Sequence, residues 1–246
     1  MSYKHFLLEK QGHLATITFN RPEKRNPLNA ESTLELLDIL TSFKDDAETH
    51  VIILTGTGAA FCAGADLSIF KGITDPEERL IRFKAQGKTN ARLTARIYEL
   101  LESLEQISIA SINGFAVGGG WTISNSCDFR IAVEDAQFWF PEVDLGVPLG
   151  GPAASRVTKL AGPALAREMI MTCKRYTARE LHAFGLVHKI VSRDQLKAAT
   201  SEFAQSLLSK KWLALAEAKA IINAASGIRV AEGTAITPEL LLTPKE

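Results

Sequence analysis

Twice in this chain a short run of β-branched and small apolar residues empties into a cluster of glycines. Val51 to Thr55 leads into a turn from Gly56 to Gly64, and Ile107 to Ile112 leads to Gly118, Gly119 and Gly120, followed by a helix-forming stretch from Trp121 to Ser126. Continuous apolar runs of this length read as buried strands. Glycines at a strand end let the backbone approach a ligand with its N–H groups free, and a helix beginning there adds a partial positive charge. Two such loops are able to converge on one oxygen. Taken alone, a triple glycine also serves to pack a helix closely on a strand, and no GxGxxG spacing marks a dinucleotide loop.

The surrounding pattern gives these loops a frame. Tyr3 to Glu9 and Leu14 to Asn20 flank a turn at Gly12, and Asn29 stands as N-cap to a helix through Leu34, Leu37 and Leu40. A long charged helix is predicted from about Pro76 to Glu105, with further strands at Phe129 to Val133 and Gln137 to Phe140. After Gly150 the pattern turns helical, over Ala153 to Leu160 and Pro163 to Cys173. Thr177 with Glu180 forms one capping box, and Ser192 with Gln195 a second, on either side of a last strand at His188 to Val191. Helices then run to about Ala225. The fold class this predicts is α/β, a βα-rich part followed by a helical C-terminal region.

Composition narrows the function classes. With 246 residues and 46% hydrophobic content the chain buries a sizeable core. Lys plus Arg and Asp plus Glu both number 28, so no net field draws it to nucleic acid or to an anionic membrane. Apolar runs fall far short of the roughly 20 residues a membrane span needs, and Met1 to Gln11 carries no signal or transit pattern. A cytoplasmic location is the expectation. Cys62, Cys127 and Cys173 form no CxxC pair and are expected as reduced thiols. The five histidines lack metal-binding spacing, so no metal is expected, and no GxSxG elbow supports a serine nucleophile.

Five segments, in order, carry a resemblance. NRPEKRNPLN (Asn20 to Asn29), GTGAAFCAGADL (Gly56 to Leu67), INGFAVGGG (Ile112 to Gly120), CDFRIA (Cys127 to Ala132) and QFWFPEVDLGVPLGG (Gln137 to Gly151) resemble motifs of the crotonase, or enoyl-CoA hydratase/isomerase, superfamily. The resemblance implies a spiral of ββα units over residues 1–190 and a helical trimerisation region over 191–246. It implies a homotrimer or dimer of trimers, and an acyl-CoA thioester substrate. No cofactor is implied, coenzyme A being part of the substrate. Family members usually continue with another helix beyond the stretch resembling Pro238 to Glu246.

The same resemblance implies roles for single residues. Ala65 and Gly119 look like the two backbone donors of an oxyanion hole, and the Ala63 carbonyl looks like a contact to the adenine amino group. Lys24 and Arg25 fall in the segment that family members place beside the nucleotide and pantetheine, where a cation suits phosphate. Asp66 and Asp144 are weaker candidates for substrate contact, Asp66 being also suited to cap a helix or turn. Glu142, after Pro141, matches the family's second catalytic glutamate. The first falls twenty positions earlier, on Thr122, which has no carboxylate, and Gly150 stands where dienoyl-CoA isomerases place an aspartate. Glu142 is thus expected to be a single general acid and base, its pKa raised by an apolar pocket including Phe138, Trp139 and Phe140. Enoyl-CoA double-bond isomerisation is the leading expectation. A low-efficiency hydratase recruiting water with Thr122 and Glu142, and a non-catalytic acyl-CoA-binding protein, are the alternatives. Cys62, inside the first loop, reads better as a small buried residue than as a nucleophile.

Overall fold

A computed structural model of the chain describes residues 3–227, without the side chains of 69, 70, 76, 79, 80 and 82–91. The strands are β1 (Phe6–Gln11), β2 (Leu14–Phe19), β3 (Val51–Gly56), β4 (Ala60–Cys62), β5 (Ile107–Ile112), β6 (Phe115–Val117), β7 (Phe129–Val133), β8 (Gln137–Trp139), β9 (Tyr176–Thr177) and β10 (Lys189–Val191). The helices are α1 (Ala30–Ser42), α2 (Pro76–Ser103), α3 (Gly119–Ser126), α4 (Gly151–Met171), α5 (Ala178–Ala183), α6 (Leu196–Leu208) and α7 (Trp212–Ala225).

One sheet runs β1-β2-β3-β5-β7-β10 and a smaller one β4-β6-β8-β9. The chain alternates between them: β3, β5 and β7 enter the large sheet in parallel, and each is followed at once by a short strand, β4, β6 or β8, in the small one. A helix then carries the chain to the next pair. This is the ββα spiral the resemblance implied, and Gly64 and Gly118 to Gly120 stand at the exits of β4 and β6. Of the short strands, β8 matches the one read at Gln137 to Phe140, whereas β4 and β6 are invisible in the sequence because each is three residues long and sits close to glycines.

The core fills the space between the sheets and α1, α2 and α3, with Leu36, Ile39, Phe61, Ile97, Ile109, Trp121 and Phe138 at most 1% exposed. Strand β5 is buried on both faces, as expected of a central parallel strand. Helix α1 begins at a reciprocal box between Asn29 and Ser32. The Thr177–Glu180 box at α5 also forms. The second predicted box does not. Gln195 makes no capping bond, and the Ser192 hydroxyl serves the Asp194 carboxylate instead, so α6 starts uncapped at Leu196. The two helices expected between Ala153 and Cys173 are the two halves of α4, which meet at a non-helical Gly162 (φ 74°, ψ 161°) just before Pro163.

Buried charges tie the C-terminal helices to the spiral. The Lys219 ammonium on α7 lies 2.9 Å from Asp128 and donates to the carbonyls of Gln106 and Leu101 at 2.8 and 3.3 Å. Asp128 in turn accepts from the Ser108 amide and hydroxyl at 2.7 and 2.9 Å. Arg156 on α4 pairs with Glu102 on α2 at 2.8 Å. Near the N-terminus His5, Glu31 and Glu35 bring three metal-capable groups within 4.8 Å. The Lys4 ammonium on Glu31, and the Lys4 and His5 amides on Glu35, make this an ion-paired clamp on the first strand. Among the described residues no helix is long and apolar enough to cross a membrane.

The segment before α1 is fixed by one buried amide. Arg25 and Asn26 both hold positive φ, 63° and 57°. Asn26 Oδ1 accepts from the Arg21 amide at 2.8 Å, while its Nδ2 donates to the Thr57 and Ala60 carbonyls at 2.9 and 2.8 Å. Replacing Asn26 by Ala removes all three bonds and leaves the Arg21 amide and the Thr57 carbonyl without this partner, while Ala60 O keeps only Asn113 Nδ2 at 3.2 Å; a buried group left unsatisfied costs about 1–3 kcal/mol. Asn26→Ala is expected to lower the thermal midpoint by several degrees, about 4 or more, in a melt followed by circular dichroism.

Candidate active site

The first glycine loop is held by the segment just described. Ala63 N donates to Arg25 O at 3.0 Å, Leu28 N to Gly64 O at 2.7 Å, and Asp66 N to Leu28 O at 2.8 Å. These last two bonds make a parallel bridge between Leu28 and Ala65. In such a bridge the central residue's own N–H points away from its partner, so the Ala65 amide is turned away from Leu28.

The second loop meets it backbone to backbone. A Cβ at Gly64 would lie 2.6 Å from the Val117 carbonyl oxygen, and one at Gly120 would lie 2.2 Å from that of Cys62. No side chain fits at either place. Gly119 opens α3, so its amide lies in the first turn, where no preceding carbonyl is available within the helix. Among the described residues neither the Ala65 nor the Gly119 amide donates to a backbone carbonyl. Cys62 is fully buried beneath them with its thiol pushed up to about 12, which bears out its reading as a packing residue.

Glu142 enters from the small sheet. Strand β8 pairs with β6, and Gly118 N donates to Trp139 O at 3.0 Å, joining the second loop to the segment that ends in Pro141 and Glu142. Trp121 on α3 stacks on Phe140 with centroids 4.4 Å apart. A turn comes next, in which the Glu142 carbonyl accepts from the Leu145 and Val147 amides. A Cβ at Gly118 (φ 51°) would lie 2.6 Å from Glu142 Oε1. The carboxyl therefore lies directly against the glycine loop. Its other oxygen, Oε2, is buried with no hydrogen-bond partner. Burial drives the pKa from 4.5 up to about 7, against a smaller downward pull from its own backbone N–H.

Other expected residues are placed less centrally. Thr122 is buried, and its hydroxyl donates to the Gly118 carbonyl at 3.1 Å. Asp66 does not present its carboxylate to the space between the loops. It accepts from Ser68 N at 3.0 Å and pairs with Arg21 at 2.9 Å, and these partners hold its pKa below the usual carboxylate range despite burial, so it is a cap and an ion-pair partner. Arg25 lies over the Phe115 ring at 5.6 Å, and Lys24 is exposed in a short 3-10 turn. Asp144 is exposed in the turn after Glu142. Phe138, Trp139 and Phe140 do not line one pocket: Phe138 and Phe140 pack on Trp121, while Trp139 meets Phe115 and Arg175 on the other face.

A family model for enoyl-CoA hydratase/isomerase matches residues 9–243. The chain belongs to the enoyl-CoA hydratase/isomerase family. Among its relatives is the crotonyl-CoA hydratase of Syntrophomonas wolfei, 37% identical over 224 residues that cover 91% of this chain and 83% of the relative. The short-chain-enoyl-CoA hydratase of Clostridium acetobutylicum is 36% identical over 91% of this chain and 82% of its own. Among solved structures, an enoyl-CoA hydratase from Bacillus anthracis superposes with a TM-score of 0.83 at 33% identity, covering 92% of this chain and 85% of that one. The chain is accordingly an acyl-CoA enzyme of this family with the crotonase fold.

Sequence reasoning misses one residue at the site. Tyr98, on α2, is 8% exposed, and its hydroxyl lies 3.5 Å from where a Cβ of Gly119 would sit. In the sequence it is simply one residue of a charged helix. The ionised form of Glu142 is what burial penalises, so this group opposes folding once the pH exceeds 4.5 and does so fully above about 7, by roughly 3 kcal/mol. Glu142→Gln is expected to raise the unfolding free energy at pH 8 by about 1–3 kcal/mol and to give no such gain at pH 4, as denaturant titrations at the two pH values would register.

Proposed function

We propose that Glu142 is the only carboxyl acid and base of this site, working on a thioester enolate whose oxygen is held by the Ala65 and Gly119 amides. The observation that carries this reading is the Glu142 carboxyl itself: one oxygen against Gly118, the other buried and unpartnered, with a pKa near neutrality. Such a group is poised both to take and to return a proton near pH 7. The backbone donors suit an enolate because negative charge develops on the thioester oxygen as the α proton leaves, and fixed N–H groups need no reorganisation to meet it. Coenzyme A arrives as part of the substrate, and no other cofactor enters this reading. Arg25, Lys24 and the Ala63 carbonyl are proposed to receive its nucleotide, a reading supported by the Ala63 N to Arg25 O bond that ties this segment to the first loop.

Double-bond isomerisation is the reaction that this carboxyl performs unaided. Glu142 removes a proton from C2 of a 3-enoyl thioester, the electrons pass into the carbonyl as a dienolate, and the Glu142 carboxyl, its proton exchanging with solvent, delivers a proton to C4. Hydration is a second reading, favoured by the crotonyl-CoA and short-chain-enoyl-CoA hydratases among the relatives. It requires something other than a second carboxylate to hold water opposite Glu142. The exposed apolar residues Met171, Leu213 and Ile222 on the C-terminal helices support self-association as a homotrimer or dimer of trimers.

Incubation of 3-enoyl-CoA in D2O, followed by mass spectrometry, tests the leading reading. Conversion to 2-enoyl-CoA with deuterium uptake is expected, falling at least about a thousandfold in Glu142→Gln, the loss of an essential acid–base group. Unchanged turnover in that variant would remove Glu142 from the mechanism. The base works when ionised, so kcat/KM is expected to rise with pH to a plateau, with a midpoint at about 7.

A further inference from the structure

Thr122 is buried beside the second loop with its hydroxyl turned onto the Gly118 carbonyl, and a second hydroxyl approaches the same loop. Helix α2 brings Tyr98 there from below. The phenol hydroxyl faces the side chains of Thr122 and Thr94 and lies near enough to Glu142 to feel its charge. It sits 3.5 Å from where a Cβ of Gly119 would be, with Leu28 Cδ1 next at 3.7 Å. Because Thr122 gives its one proton to the Gly118 carbonyl, the phenol is the hydroxyl of the two that has a proton to offer. Each of the two oxygens then keeps a lone pair for a further proton.

We propose that Tyr98, paired with Thr122, is a positioning residue that holds a water molecule opposite Glu142, so that this site adds water to 2-enoyl thioesters without a second carboxylate. The proposal rests on the enolate chemistry assigned above to Glu142 and to the Ala65 and Gly119 amides. One proton of the water points to the hydroxyl pair, the other to ionised Glu142, and a lone pair faces C3. As Glu142 takes its proton, the water oxygen bonds to C3 and the C2–C3 π electrons move into the thioester as an enolate. Glu142 then delivers the proton to C2, so one water is added and the carboxylate is restored. The phenol stays protonated throughout, since burial holds its pKa far above neutrality. A neutral station also spares Glu142 the repulsion a second carboxylate would exert.

Two reactions of one site separate this role from a structural one. Deuterium exchange at C2 of a saturated acyl-CoA needs only Glu142 and the oxyanion donors, whereas water addition to the 2-enoyl-CoA of the same chain length needs the hydroxyl pair as well. With four- and ten-carbon thioesters, Tyr98→Phe and Thr122→Val are each expected to slow water addition about 10- to 100-fold while exchange stays within about twofold. The KM for the 2-enoyl-CoA should stay near that of the wild type. A parallel fall of both reactions, or wild-type enzyme that exchanges C2 but adds no water, would overturn the assignment. If wild type neither exchanges nor hydrates, the enolate reading itself fails and this one with it. Thermal melts of both variants with and without acyl-CoA identify any loss that comes from misfolding.

Discussion

The site depends on a contact between two stretches of backbone. Gly120 lies against the Cys62 carbonyl and Gly64 against Val117 so closely that a single methyl group at either glycine would collide with main chain. Neither partner can yield as a flexible side chain would, because each is fixed in turn: Cys62 lies in a strand of the small sheet, and Val117 in its neighbour. The separation of the Ala65 and Gly119 amides is therefore set by sheet geometry. In the proposed role such donors are aimed before substrate arrives, which is the source of the value of fixed donors in stabilising developing charge.

A second dependence grows out of the first. With the loops in place, Glu142 is delivered by the pairing of β8 on β6 and by the Trp121–Phe140 stack, an aromatic contact on the core side of the small sheet. The apolar residues around position 142 thus act chiefly on where the carboxyl is. Its raised pKa comes from the lack of water and of any partner for Oε2. A carboxylate placed this way destabilises the fold that holds it, a common condition of groups kept for chemistry.

Much of this is legible in the sequence, and the exceptions have physical causes. The long strands and the caps at Asn29 and Thr177 can be read because local chemistry decides them, and the ββα spiral because its motifs carry side-chain constraints on the backbone. The three-residue strands β4 and β6 cannot, since pairing with partners distant in sequence defines them. Asp66 looks like a site residue from its position in the motif, but Arg21, forty-five residues away, claims its carboxylate. Tyr98 is hidden for a similar reason. Burial of Ile97, Tyr98 and Leu101 on one helix reports packing, and nothing local says that the hydroxyl meets α3.

The Lys219 ammonium has a wider meaning than the three groups it touches. It reaches from α7 into the segment joining α2 to β5 and onto Asp128, which anchors the start of β5 through Ser108. Withdrawing α7 would leave a partly buried carboxylate and two carbonyls without their cation, at a cost of about a few kcal/mol. The C-terminal helices and the spiral are in this sense one cooperative unit: partial opening at that end is suppressed by the same charge that fixes the entry to the central strand.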